Sequence, residues 1–261
     1  MERINSNDNP TLKLARKLLR SSRERKRSGK ILLDGAHLVR DYGTRFGLSG
    51  AIVLVSEAAV DSSEITTLVR SAPTEAKVFE VGSSAFAAIS PVETPSGVVA
   101  LCNRPTIDAH ATDTPFQLLL DGIQDPGNLG AILRTAAAMG VNAVFLSETC
   151  ADPWSPKALR GGMGAQFAVP VALNVDAIET ANRFLGKTVS TSPHSGQTLM
   201  DTELSGPLLA IFGGEGGGVD SNLAASADVS VKITLQNNIE SLNVGAAVAM
   251  LCYERLRQAS R

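Results

Sequence analysis

From residue 116 onward, short apolar runs recur between stretches of helical spacing, and this alternation narrows the possible folds more than any other feature of the chain. FQLLLDG (116–122), VNAVFLS (141–147), KTVSTS (187–192), PLLAIFGG (207–214) and DVSVKIT (228–234) read as strands. Helix-like stretches at 128–139, near 156–162 and near 176–185, a short one after 214, and a long one from about 240 to 258 separate them. Apolar strands placed between helices imply a mostly parallel sheet covered on both faces. Only 4% of the residues are aromatic and 23 are glycines, which suits layered α/β packing joined by tight turns.

The first hundred residues repeat the theme on a smaller scale. ILLDG (31–35), AIVLV (51–55), VFEV (78–81) and GVVAL (97–101) alternate with helix-like stretches near 36–41, 63–71 and 83–89. The stretch CNRPTIDAHATDTP (102–115) then breaks the pattern with Pro, Thr and Asp and has no apolar periodicity. The expected organisation is an N-terminal domain over 1–102, a linker over 103–115 and a second domain over 116–261.

Charge is distributed unevenly between these parts. Residues 11–30 hold nine Lys/Arg against the single Glu24, a balance of +8, and the whole chain carries a formal −2, so the remainder sums to −10. Asn9-Pro10 reads as an N-cap followed by proline at the first helical position, and Leu12, Ala15, Leu18 and Leu19 recur at helical spacing. A basic amphipathic helix is expected to open the chain. Charge runs usually keep a helix face solvated, but nine cations facing one anion are not explained by pairing within the helix. Lys13, Arg16, Lys17, Arg20, Arg23, Arg25, Lys26 and Arg27 are therefore candidates for contact with RNA phosphates, where neutralisation releases counterions.

Several chemistries are disfavoured. Cys102, Cys150 and Cys252 are odd in number and far apart, so neither a disulfide framework nor a CxxC zinc site is expected. His37, His110 and His194 are equally scattered, and no metal is expected. No apolar run reaches the roughly 18 residues of a membrane span. The polar start MERINSNDNP lacks the apolar stretch of a signal peptide, and a cytoplasmic location is expected.

Three segments carry candidate chemistry. In DGIQDPGNLGAILRTAAAMG (121–140), Asn128 is expected to cap a helix that closes at Gly140. Ile132, Leu133 and Ala136 would form its buried stripe, with Gly130 leaving open space where the Arg134 guanidinium would reach. Alone, this is equally a packing glycine and a surface cation. In IFGGEGGGVD (211–220), glycines surround one carboxylate, Glu215, and offer backbone N–H groups to a ligand. The loop lacks the Lys-Ser/Thr of a P-loop and is not a clean GxGxxG, and taken in isolation a purely structural turn is the commoner explanation. In IESLNVGAAVAMLCYERL (239–256), Leu242, Ala246, Ala249, Tyr253 and Leu256 make one apolar face expected to be buried. Ser241 and Asn243 stand at the start of this helix, where capping and ligand orientation are compatible roles.

Together these segments resemble the three motifs of the SpoU branch of the SPOUT methyltransferases, the TrmH-like RNA ribose 2′-O-methyltransferases. The match runs N-x-G-x-x-x-R-T-A at Asn128, Gly130, Arg134, Thr135 and Ala136, then F-G-G-E-G-x-G at 212–218, then S-L-N-V at 241–244. SPKALRGGMGAQFAVP (155–170) is similar to a further family segment, and order and spacing agree throughout 116–258. The N-terminal half more loosely resembles the small ribosomal-protein-like RNA-binding α/β domain that often precedes this catalytic domain.

The resemblance implies a SPOUT-type parallel sheet with a deep trefoil knot and a homodimer through the C-terminal domain. It implies methyl transfer from S-adenosylmethionine to the ribose of an RNA, with 23S ribosomal RNA favoured. A transfer-RNA substrate, or a non-catalytic RNA-binding or ribosome-assembly role on the same fold, is the alternative. By the same resemblance, Gly213, Gly214, Gly218, Ile233 and Leu242 would bind the cofactor, largely through their backbones. Asn128, Arg134, Glu215, Ser241 and Asn243 would surround the reacting atoms. Family proposals make the residue matching Arg134 the group that activates the 2′-hydroxyl. A guanidinium has a pKa above about 12 and no acceptor lone pair, so holding a phosphate and stabilising the developing alkoxide is physically easier. The sequence departs from the family at Ile233-Thr234-Leu235, where I-P-M is usual.

Overall fold

The structure is a computed structural model, and it describes residues 1–4, 6–107, 115–237 and 239–259. Residues 108–114 of the expected linker, with His110, lie outside the described residues. The chain groups into two compact units, Met1–Thr106 with Trp154–Phe167, and Ile107–Pro153 with Ala168–Arg261.

The first unit contains β1 (Glu2–Ile4), α1 (Pro10–Arg20), α2 (Ser22–Ser28), β2 (Lys30–Asp34), α3 (Ala36–Phe46), β3 (Ile52–Ser56), α4 (Ser63–Ser71), β4 (Lys77–Val81), α5 (Ser83–Ala87) and β5 (Val98–Asn103). Its sheet has the order β1-β4-β3-β5-β2. The pairs β1–β4 and β4–β3 are parallel, and β5 runs antiparallel to both β3 and β2. Helix α1 begins as expected: Asn9 Oδ1 accepts from Thr11 N at 2.8 Å with Pro10 in the first turn. It buries Leu12, Ala15 and Leu18 against Leu32, Leu54 and Leu101 of the sheet.

The expected single basic helix is two helices. Ser21 takes an extended conformation that ends α1, and its Oγ accepts from Glu24 N at 3.1 Å to start α2. The bend turns Arg25 inward. It is buried, and its Nη1 donates to the Leu18 carbonyl at 2.5 Å, satisfying one of the last carbonyls of α1. The expectation that Arg25 lies on the exposed phosphate-binding face is therefore corrected, because its guanidinium serves the junction of the two helices.

The second unit begins with β6 (Phe116–Asp121), α6 (Pro126–Ala138) and β7 (Ala143–Ser147). The chain then enters α7 (Pro156–Gly162), which by its packing belongs to the first unit, although everything after residue 115 was expected to form one domain. In that unit Phe167 meets Tyr42 edge-on at 5.6 Å, and its carbonyl accepts from Arg45. The second unit continues with β8 (Val171–Val175), α8 (Ala177–Arg183), β9 (Lys187–Thr191), β10 (Gln197–Thr198), β11 (Leu208–Gly213), α9 (Ser221–Ala225), β12 (Val229–Lys232) and α10 (Val244–Ala259).

All seven strands pair in parallel, in the order β10-β12-β9-β11-β6-β7-β8. After β6 the chain builds outward to β7 and β8, then crosses to the other side for β9. Strand order thus reverses at β6 and β11, the kind of point where parallel sheets bind ligands beyond the carboxyl ends of their strands. The register sets Asp121 beside Gly213 at those ends.

Helix α10 packs on α6 and β11. It buries Val244, Val248, Leu251 and Cys252, whereas Tyr253 is 62% exposed and Leu256 48%. Of the face expected to form a buried interface, Leu242, Ala246 and Ala249 are half-buried, whereas Tyr253 and Leu256 point outward. The helix carries two apolar stripes, and periodicity alone does not say which one meets the sheet. Among the described residues, no helix is long and apolar enough to cross a membrane.

Arg25→Ala is expected to cost about 1.5–3 kcal/mol, since it removes a charged donor from a buried carbonyl. Lys26→Ala at an exposed neighbour should stay within about 0.5 kcal/mol of the native chain. Urea unfolding followed by circular dichroism checks both.

Candidate active site

The site in the second unit is built on the starts of two helices and one glycine turn. Helix α6 starts at Pro126, and Asp125 is its N-cap, with Oδ1 accepting from Asn128 N at 2.8 Å. Asn128 was expected to hold that cap. Since Asp125 does so, the Asn128 side chain is left for another partner, and its Nδ2 donates to Glu215 Oε1 at 2.7 Å. The Asp125-Pro126 pair is the same signal as Asn9-Pro10, and it was readable in the sequence.

Asn243 stands just before α10. Its Oδ1 accepts from Gly245 N at 3.0 Å, so it caps the helix. Its Nδ2 donates to Glu215 Oε1 at 2.7 Å and to Asn128 Oδ1 at 3.1 Å. Capping and site assembly are therefore two ends of one amide. Asn128, Glu215 and Asn243, distant in sequence, form a single hydrogen-bonded cluster.

The turn that carries Glu215 folds back on itself. Gly218 N donates to Gly214 O at 3.0 Å, and the two residues form an isolated antiparallel bridge. A Cβ on Gly213 would overlap the Gly218 carbonyl, and one on Gly214 would overlap the Gly122 carbonyl oxygen. Both positions are thus restricted to glycine by backbone packing. Gly216, Gly217 and Gly218 instead face open space on their side-chain sides, and Gly218 has φ +66°. The first pair shapes the turn, and the later glycines leave its outer edge accessible to a ligand.

The remaining expected residues are placed less directly. Arg134 is exposed on α6 and makes no hydrogen bond or ion pair among the described residues. Gly130, one turn earlier, is buried. Ser241 is exposed ahead of α10, and Ile233 and Leu242 are half-buried in the segments that follow β12 and precede α10. None of Arg134, Ser241, Ile233 and Leu242 bonds to the Asn128–Glu215–Asn243 cluster among the described residues.

In the first unit, the basic segment divides by partner. Lys13 pairs with Asp8 at 3.0 Å, and that bond holds the Asp8 carboxyl below its ordinary pKa. Arg27 pairs with Glu24 at 2.7 Å with the same effect on Glu24. Arg16 donates to the Asn7 carbonyl at 2.5 Å. Lys17, Arg20, Arg23 and Lys26 are exposed and have no such partner among the described residues.

Burial pushes the Cys102 and Cys252 thiols up to about 12 and raises Cys150 as well, so none is set up as a thiolate nucleophile. Among the described residues, no group of three or more His, Cys, Asp or Glu is arranged to hold a metal ion.

Comparison with known proteins adds to this geometry. Residues 115–253 match the SpoU rRNA Methylase family, and residues 9–100 match the MRM3-like substrate binding domain. The chain is 31% identical over 258 residues to the Bacillus subtilis (strain 168) 23S rRNA (guanosine(2553)-2′-O)-methyltransferase RlmP, covering 97% of this chain and 98% of that one. Among solved structures, an RNA 2′-O ribose methyltransferase superposes with a TM-score of 0.84 at 26% identity, covering 99% of this chain and all of the other. An AdoMet-bound rRNA methyltransferase from Sinorhizobium meliloti superposes with a TM-score of 0.81 at 25% identity, covering 98% of this chain and 97% of that one.

Gly213→Ala is expected to force the turn open and cost about 1–3 kcal/mol, as other overpacked positions do. Gly216→Ala, which faces open space, should leave the unfolding midpoint nearly unchanged. Thermal denaturation of the two variants side by side makes the comparison.

Proposed function

The chain belongs to the SpoU rRNA Methylase family, and on that premise we propose that it methylates the 2′-hydroxyl of a ribose in ribosomal RNA, with 23S-type RNA favoured. The observation that carries this reading is the Asn128–Glu215–Asn243 cluster, assembled beside a glycine turn at the strand ends where the sheet order reverses. The near end-to-end likeness to a 23S rRNA methyltransferase supports the choice of RNA.

S-adenosylmethionine, when bound, supplies a methyl group on a cationic sulfur that is open to in-line attack. The open side of Gly216–Gly218 fits such a ligand, since a bare backbone lets it approach closely. Gly213, Gly214, Gly218, Ile233 and Leu242 would hold it, largely through their backbones. Arg134, exposed and without a partner among the described residues, is suited to grip the phosphate next to the target ribose and to stabilise the oxygen as it becomes anionic. Ser241 offers a hydroxyl on the approach to α10 for the same backbone. Catalysis in this arrangement rests on holding reactants in line rather than on a covalent intermediate.

Lys17, Arg20, Arg23 and Lys26 form the proposed RNA-phosphate surface, with Lys13, Arg16 and Arg27 available once their partners are exchanged. Arg25 is excluded by its burial. The outward stripe of Met250, Tyr253 and Leu256 supports a homodimer formed through α10. The return of α10 onto α6, after the chain has passed to β12 near the far edge of the sheet, supports the knot that the family resemblance implies. An RNA substrate of this kind also supports a cytoplasmic location.

Mapping ribose methylation across stable RNAs, in cells with and without the protein, should lose one site in large-subunit ribosomal RNA. Purified Arg134→Ala should turn over about 10²–10³-fold more slowly than wild type while still binding S-adenosylmethionine in calorimetry. Unchanged turnover would remove Arg134 from the site. Tyr253→Asp combined with Leu256→Asp should shift the protein from dimer to monomer in sedimentation velocity.

A further inference from the structure

Glu215 is held asymmetrically. Both amide donors converge on one oxygen, Oε1, each at 2.7 Å. Oε2 accepts no hydrogen bond among the described residues. The orientation of both amides is dictated from outside the carboxylate. The Gly245 N–H donates to Asn243 Oδ1, so Asn243 must present Nδ2 inward. That Nδ2 donates to Asn128 Oδ1, so Asn128 must present its own Nδ2 to Glu215. The directed relay runs from the start of α10 through two amides and ends on one carboxylate oxygen, leaving the other available.

The chemistry at the site calls for an acceptor of that kind. Methylating a hydroxyl releases one proton, and an acceptor within hydrogen-bond reach lowers the barrier. Of the five residues assigned to the reaction, Arg134 offers only donors, and Asn128 and Asn243 have their amide oxygens occupied by Asn243 and Gly245. Ser241 is a neutral hydroxyl. Glu215 alone among the five is a carboxylate, and its turn is the one whose outer glycines face open space.

Resting on the methyl-transfer reading, we propose that Glu215 is the catalytic proton acceptor, through Oε2, and that Asn128 and Asn243 are positioning residues that aim it. The O2′–H bond breaks and its proton passes to Oε2. The oxygen lone pair forms the new bond to the methyl carbon, and the electrons of the carbon–sulfur bond return to sulfur. One carboxylate and one sulfonium become a neutral acid and a neutral thioether, so charge is conserved without a further reactant. Arg134 then holds phosphate and stabilises charge and is not required to take up a proton.

The test uses full-length protein, tritiated S-adenosylmethionine and large-subunit ribosomal RNA from cells lacking the protein, in single-turnover reactions between pH 7 and 9. Other charged groups on the surrounding segments are Asp121, Asp125, Arg134, Asp220 and Glu240, and Asp125 and Asp220 have a carboxylate oxygen engaged in helix capping. Glu215→Gln keeps shape and acceptor at one end, and its methylation rate should fall about 10²–10⁴-fold. Its affinity for S-adenosylmethionine in calorimetry should stay within about threefold of wild type. Its residual rate should rise about tenfold per pH unit, because hydroxide must then take the proton, while the wild-type rate stays level. Glu215→Asp should keep the level profile at a reduced rate.

A Glu215→Gln rate within about threefold of wild type overturns the proposal, as does a reduced rate with an unchanged pH profile. Transfer of the whole effect to Asp121→Asn overturns it too. If wild type itself transfers no methyl group to any such RNA, the underlying functional reading fails first, and with it this one.

Discussion

The second unit depends on two backbones meeting where side chains would forbid it. Gly214 lies against the carbonyl of Gly122, and Gly213 against that of Gly218, so the ends of β6 and β11 close together and the turn after β11 doubles back. The parallel register brings Asp121 beside Gly213, but only missing Cβ atoms let the turn stay there. Glu215 sits at the tip of that turn, and its position is inherited from this contact. A parallel sheet leaves its strand ends as the place where loops can be varied without loss of core. The cost is that the loop geometry must come from local devices, here two glycines and two helix caps.

Those caps tie stability to chemistry. Asp125 takes the N-cap of α6 and frees Asn128, and Asn243 takes the N-cap of α10 with one end of its amide while the other end reaches Glu215. A capping residue is worth on the order of 1 kcal/mol to a helix, so the Asn243 amide is oriented by the helix it caps, and it orients the Asn128 amide in turn. Preorganisation of this kind is what a site needs if it is to favour the transition state without paying for rearrangement. It also means that α6 and α10 cannot shift past each other without disturbing the carboxylate, because both helices terminate in the same hydrogen-bonded cluster.

How much of this was legible in the sequence follows from the physical signal each element carries. The central strands β6, β7 and β11 announce themselves as apolar runs because both of their faces are buried. β1, β8 and β10, at the edges of their sheets, have few buried residues and no such signature. Asn9-Pro10 and Asp125-Pro126 carry the same helix-start signal, and Asn128, three residues into α6, is a capping residue by type whose side chain is instead used for Glu215. Asn128, Glu215 and Asn243 were expected together with Arg134 and Ser241, from the family resemblance, but neither the grouping of three nor its bonding was legible, since no spacing in one dimension shows that two amides meet at one oxygen. Packing also moved Trp154–Phe167 into the first unit. A strand-helix-strand count cannot anticipate that, because it has no knowledge of which unit a crossover packs against.

The basic segment shows why net charge is a poor guide to a binding surface. Nine cations within twenty residues looked like one positive stripe, yet the bend at Ser21 sorts them by task. Arg25 is spent on the Leu18 carbonyl, and Lys13 and Arg27 sit against acids. Lys17, Arg20, Arg23 and Lys26 remain exposed. A cation already paired must give up its partner before it can neutralise a phosphate, and that exchange yields less than a free cation does, so a segment's net charge overstates the attraction it can exert on a polyanion. The rest of the chain, at −10, works in the same direction by repelling a polyanion elsewhere. Positive charge without a local partner is therefore concentrated on one short stretch of α1 and α2.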